Sequence, residues 1–298
     1  MKRVRQVFSV SACNFRKWHR NPRIYVTFLL AFILCFLLSD KAVRFARLYG
    51  TPMQIAEPFV WTFGDANSIL LSSLLLLLLF ADMPFIDPST PFYLMRTDRK
   101  TWILGQGVYI VLSTFLYLVF VLLSTALICM TQSFAGNMWS ETAAILGYSG
   151  LGQEVALPAF VKTLEMSRPY DCMLAIFVLM MLYMLLMALL MLWLNLKKGH
   201  MGGVVCGLAF SLYGFLLNPE TIRAVVPLPD ALTYKANAAV GWLSPLNHAT
   251  YHMHNFGYDL LPRLRHTYLI FGALIVLLIF LLFGAIRSYS FHFFGTED

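Results

Sequence analysis

Charge is what this chain has least of. Lys, Arg, Asp and Glu make up 12% of its 298 residues, while 59% are hydrophobic. A soluble domain carries about twice that charged fraction. A large core wrapped in a polar coat is therefore excluded, because the material for the coat is missing. The chain reads as an all-α, polytopic integral membrane protein. It also lacks the G-x-x-x-x-G-K-[ST] loop, so it is not by itself a Walker-type ATPase. G-x-S-x-G, H-E-x-x-H and C-x-x-C do not occur either. Energy for any active transport then comes from an ion gradient or a separate protein. The five cysteines form no disulfide framework. Cys35, Cys129 and Cys206 sit in apolar runs as small hydrophobes, and Cys13 and Cys172 fit no pairing rule.

The formal charge is +7. Its basic residues stand at the ends of apolar runs, which fits membrane topology and not a nucleic-acid groove. A span needs roughly 20 apolar residues to cross about 30 Å of hydrocarbon. Six segments are expected to do so: 24–39, 59–81, 102–130, 173–196, 201–217 and 267–286. With the N-terminus inside, the inner pieces 1–23, 82–101, 197–200 and 287–298 hold thirteen Lys and Arg. The outer pieces 40–58, 131–172 and 218–266 hold nine over about twice the length. The bias places both termini on the cytoplasmic side. The basic region runs to Arg23 and no small-x-small site follows it, so the first span is expected to stay as an anchor.

Residues 1–23 carry more than topology requires. Val4, Val7, Phe8, Phe15 and Trp18 fall at helical spacing on one face, with basic residues mostly elsewhere. This predicts a helix lying in the headgroup plane, with its cations toward anionic lipid. Asn21-Pro22 then makes an elbow into the first span. The competing reading is a plain positive-inside cluster. Residues 24–290 form the membrane domain, without a soluble appendage.

Polar residues at or near spans are the candidates for chemistry. His248, His252 and His254 form H-x-x-x-H-x-H. The first two share a helical face and could chelate a metal, but all three converge only if the segment bends. A structural role is the expectation. Asp65 is expected to cap a helix or pair with an external Arg. The later spans lack buried charge, which disfavours proton-driven transport. Ala238 to Tyr251 is apolar but too short to span, which predicts a re-entrant or interfacial helix. Between two long apolar runs lies Arg96-Thr97-Asp98-Arg99-Lys100-Thr101-Trp102, preceded by Asp82, Pro84, Asp87, Pro88 and Pro91. The carboxylates of Asp82 and Asp87 are expected to face Arg96, Arg99 and Lys100.

This arrangement resembles the membrane subunits of ATP-binding-cassette (ABC) exporters of the type-2 permease class. Phe80-Ala81-Asp82-Met83-Pro84, the 96–102 stretch, Gly105-Gln106 and Ser244-Pro245-Leu246-Asn247-His248 look like a bacterial subgroup of them. The resemblance implies a permease without catalytic residues, in the bacterial cell membrane. Its partners would be a separate ATPase subunit and a second permease subunit, like or unlike. It holds no cofactor or metal of its own, and ATP and Mg²⁺ belong to the ATPase. It also implies that Phe85 to Lys100 is the coupling loop, with Asp87, Arg96, Arg99 and Lys100 toward the ATPase and Trp102 as interfacial anchor. External re-entrant helices would correspond to Ser244 to His254, including Pro245 and His248. Phe-, Leu- and Met-rich spans point to an amphiphilic or hydrophobic substrate. Rival readings are a multispan membrane enzyme with an external histidine site and a non-transporting sensor or immunity subunit.

Overall fold

Asn21 breaks the chain and restarts it. Its Oδ1 accepts the Arg23 amide at 3.1 Å, and Pro22 fills the first turn, where no amide partner is needed. Before it lies α1 (Lys2–Arg16), and after it α2 (Pro22–Tyr49). The computed structural model describes residues 2–86, 90–95, 97–155, 157, 159–225, 233–257 and 259–291. The described residues are about 80% helical. The strands among the described residues are β1 (Met53–Gln54) and β2 (Ser133–Phe134), which pair in parallel.

The first span outruns its predicted end at residue 39. Ser39-Asp40-Lys41 does not stop α2, because no breaker follows until Gly50, whose φ of 65° ends the helix. The added turns are amphipathic. Asp40 and Arg44 pair at 2.7 Å, while Ala42, Phe45 and Ala46 pack with Met53, Leu146 and Leu157. The second span, expected as one helix over 59–81, is two: α3 (Glu57–Phe63) and α4 (Ala66–Phe80), bent by 86°. The break falls at Gly64-Asp65. Asp65 caps α4, accepting the Asn67 amide at 3.0 Å and the Ser68 amide at 3.4 Å.

A short helix α5 (Thr90–Leu94) then leads to α6 (Arg99–Cys129). Three small helices follow, α7 (Glu141–Tyr148), α8 (Leu151–Glu154) and α9 (Val161–Met166). Next come the long α10 (Pro169–Lys198) and α11 (His200–Leu216). α12 (Pro219–Val225), α13 (Thr233–Leu243) and α14 (Pro245–Ala249) precede α15 (Leu264–Ser288). Among the described residues, four helices are long and apolar enough to cross a membrane, namely α2, α6, α10 and α15, or five if α3 and α4 make one span. By length and composition this is a helical membrane protein. The fifth expected span, α11, has 17 residues. That is about 25 Å, less than a typical hydrocarbon core.

α10 is the centre of the bundle. It packs on α11, α15, α6 and α4, and Leu179, Met180, Tyr183, Met184, Met187 and Met191 are fully enclosed. Methionine fills the irregular gaps between such helices. The ends of the bundle differ. One carries α1, α5, the α10–α11 turn and the end of α15; it is the basic end. The opposite end carries α3, α7 to α9 and α12 to α14. There Glu57, fully buried, joins three segments. It accepts the Ser140 amide at 2.7 Å, the Ser140 hydroxyl at 2.6 Å and the Gln54 amide at 3.2 Å.

Glu57→Ala leaves those three donors without an acceptor. We expect it to lower stability on the order of 3 kcal/mol, with Glu57→Gln milder because one amide oxygen still accepts. Thermal denaturation in detergent measures both.

Candidate functional site

At the basic end α1 lies against α6. Val10, Ser11 and Asn14 are buried there, whereas Val4 and Phe8 are 60% and 55% exposed. The predicted single apolar face is therefore split. Val4 and Phe8 look away from the protein, and Phe15 and Trp18 pack inward on Tyr109 and Phe28. The reason is Gly105. A Cβ there would stand 2.6 Å from Val10 Cβ, so its absence lets the α1 backbone come close. Two hydrogen bonds then fix the pair: Asn14 Nδ2 donates to Gln106 Oε1 at 2.8 Å, and Trp18 Nε1 donates to Tyr109 OH at 3.0 Å.

The loop after α4 is anchored from three sides. Asn195, 3% exposed, donates to Met83 O at 2.6 Å, and its Oδ1 accepts the Gly203 amide at 2.8 Å. Among the described residues, Asp82 pairs with Arg23, and not with Arg99 or Lys100. Phe85 meets Tyr109 edge-on at 5.6 Å. Asp87, Pro88 and Arg96 lie outside the described residues. Trp102 is 2% exposed, so it is no interfacial anchor. It is covered by the loop and meets Phe291 edge-on at 5.3 Å. Arg99 also turns to its own chain. Its Nη1 donates to Arg287 O at 3.2 Å and Tyr289 O at 3.1 Å, capping the last carbonyls of α15. Lys100 remains exposed.

Among the described residues of the loop, two large apolar side chains also face outward. On and beside α5, Phe92 is 65% exposed and Met95 75% exposed. Sequence reasoning followed the charges and passed over these two. The available signal was a Phe and a Met between prolines and arginines, with no apolar run to absorb them.

At the opposite end, the expected helix over Ala238 to Tyr251 is broken at Ser244 into α13 and α14. Ser244 Oγ donates to Gly214 O at 3.0 Å and accepts the Asn247 amide at 3.3 Å, with Pro245 opening α14. His248 Nε2 donates to Trp242 O at 3.0 Å, and His254 Nδ1 to the carbonyls of Thr250 and Tyr251. These partners assign the tautomers. The remaining nitrogens, His248 Nδ1 and His254 Nε2, both face the Thr267 hydroxyl, at 2.8 and 2.9 Å. His252 bonds Gly64 O at 3.1 Å and stacks on Phe160. Among the described residues no three His, Cys, Asp or Glu are placed to hold a metal. The histidines instead tie the external segment to the start of α15 and to the α3–α4 break.

Beside them lies a cleft of about 880 Å³. Asn67, Asn218, Asn237 and Asn247 line it together with Val240, Leu246 and Leu261. Carboxamides both donate and accept, so the cleft sets hydrogen-bonding groups, with Asp259 among them, beside apolar side chains. Comparison of the chain with protein families, curated proteins and solved structures finds no match.

Burial pushes His252 and His254 down to about 4 and also lowers His248. Lowered folded values favour the neutral rings. Their contribution to stability is complete above the ordinary value of 6.5 and is lost as the pH falls toward 4. We expect the thermal midpoint in detergent to drop across that window. A His252→Gln, His254→Gln double variant should start lower at neutral pH and show a flatter profile.

Proposed function

We propose that this chain is the permease subunit of a bacterial ABC exporter, driven by a separate ATPase subunit that binds ATP and Mg²⁺. A second permease subunit, identical or not, completes the pathway. In this reading the N- and C-termini and the α4–α6 loop face the cytoplasm, which the distribution of Lys and Arg favours.

The observation that carries this reading is the loop at the basic end. Asn195, Arg23 and Tyr109 hold its entry rigidly, and it presents Phe92 and Met95 to the aqueous side. Large apolar side chains on a firmly seated loop are what a protein partner grips. Force applied there passes through Asn195 into α10 and α11, and through Asp82 into the start of α2. The coupling contact is thus apolar at its tip, with Lys100 beside it. Arg99 and Trp102 serve inside, seating the loop on α15 and its C-terminal residues.

The substrate class follows from the opposite end. A cleft with asparagines and Asp259 beside apolar side chains suits an amphiphile with a hydrogen-bonding part, such as a peptide, antibiotic or lipid.

Co-purification with the candidate ATPase tests the assignment. The complex should form and its ATPase rate should rise on reconstitution. Phe92→Asp with Met95→Asp should weaken the complex roughly tenfold or more, as loss of buried anchor residues does, with membrane insertion unchanged. An ATPase that binds the double variant equally well would reject the coupling role. A chain that binds no ATPase and moves no substrate would favour a sensor or immunity protein.

A further inference from the structure

A groove of about 590 Å³ opens at the basic end where α1, the first turns of α6 and the last turns of α15 meet. Its walls are Val4, Val7, Leu104, Phe283 and Ile286. Its rim is cationic, with Arg3, Lys100 and Arg287 around it and Arg99 at its base. One acid, Asp98, stands among them, 3.8 Å from Arg3 in a pair that is 84% and 74% exposed. Such an exposed pair contributes little. Among the described residues, the side chains of Lys100 and Arg287 have no hydrogen-bond or ion-pair partner. Asp98 is the N-cap of α6 yet makes no side-chain bond to its first turn. The positive end of a helix of 31 residues is therefore left uncapped by a side chain in the same groove.

We propose that this groove binds one anionic phospholipid. Its phosphate would sit among Arg3, Lys100 and Arg287 at the start of α6, and one acyl chain would lie along Val4, Leu104 and Phe283. Both halves of the groove are needed to explain it. A soluble anion would satisfy the rim and leave the apolar walls in water. A zwitterionic lipid would fill the walls but bring its own ammonium to a rim that is already cationic. The depth is also right. Val4 and Phe8, both more than half exposed on α1, mark the level at which apolar side chains leave the protein, one turn from the basic residues. The site joins the ends of three elements that have no long covalent path between them. A bound lipid therefore links the leader to the seat of the coupling loop, where Arg99 already holds the α15 carbonyls. The inference requires only that the chain lies in a membrane and is independent of the ATPase.

The test uses the purified full chain, stripped of lipid in detergent, with no partner present. Native mass spectrometry and thermal denaturation are followed while phosphatidylglycerol, phosphatidylcholine or inorganic phosphate is added. Phosphatidylglycerol should bind roughly tenfold more tightly than phosphatidylcholine, given the gain per cation near an anionic lipid, and should raise the thermal midpoint. Inorganic phosphate should do neither. Lys100→Gln with Arg287→Gln should abolish the preference, and Lys100→Arg with Arg287→Lys should keep it. Leu104→Trp fills the apolar wall, spares every cation and should also reduce binding. Equal binding of the two lipids, equal protection by inorganic phosphate, or an unchanged preference in the Gln variant would overturn the proposal.

Discussion

A main-chain amide opened inside a bilayer finds no water, so every interruption of a helix must be closed by the protein itself. That constraint explains where this chain places its few polar side chains. Asp65 closes the start of α4 after the 86° bend, and His252 takes the carbonyl of Gly64 beside it. Ser244 closes the start of α14 and binds the carbonyl of Gly214. Asn195 meets the carbonyl of Met83 and the amide of Gly203. Arg99 meets the carbonyls that α15 leaves open. Each of these residues stands at a break, and each joins two elements by closing it.

The positions of α6, α10 and α15 were legible in the sequence, because these helices follow hydropathy closely. So was an amphipathic α1. Direction was not legible. Side chains facing lipid and side chains facing the core are equally apolar, so hydropathy does not show that Val10 and not Val4 meets α6. That choice depends on the notch at Gly105, 95 positions along. The extension of α2 past Asp40 was hidden for another reason. Ser39-Asp40-Lys41 has the composition of a membrane exit, but a helix continues until something breaks it, and Gly50 is the first residue that does.

The charged stretch at 96–102 shows the same limit at the candidate site. Its sign locates it, and nothing in its composition tells inward from outward. Trp102 and Arg99 have the chemistry of an interfacial anchor and a docking cation, yet Phe291 packs on the first and the Tyr289 carbonyl accepts from the second. With those two occupied, Phe92 and Met95 are the large apolar side chains left outside among the described residues of the loop. At the opposite end, one hydroxyl, Thr267, stands between two imidazoles. The histidine spacing that looked like a ligand set is a joint between an external segment and a long helix.

The leader's attachment also has an order in time. Asn14 and Trp18 find their partners 92 and 91 residues later in the chain. When the leader first leaves the ribosome, Gln106 and Tyr109 do not yet exist. It must wait on the membrane surface through the making of two apolar helices before α6 arrives to receive it. Its outward Val4 and Phe8 are what hold it there in the meantime. The exposed face of α1 is thus its mooring during synthesis, and the buried face is its final berth.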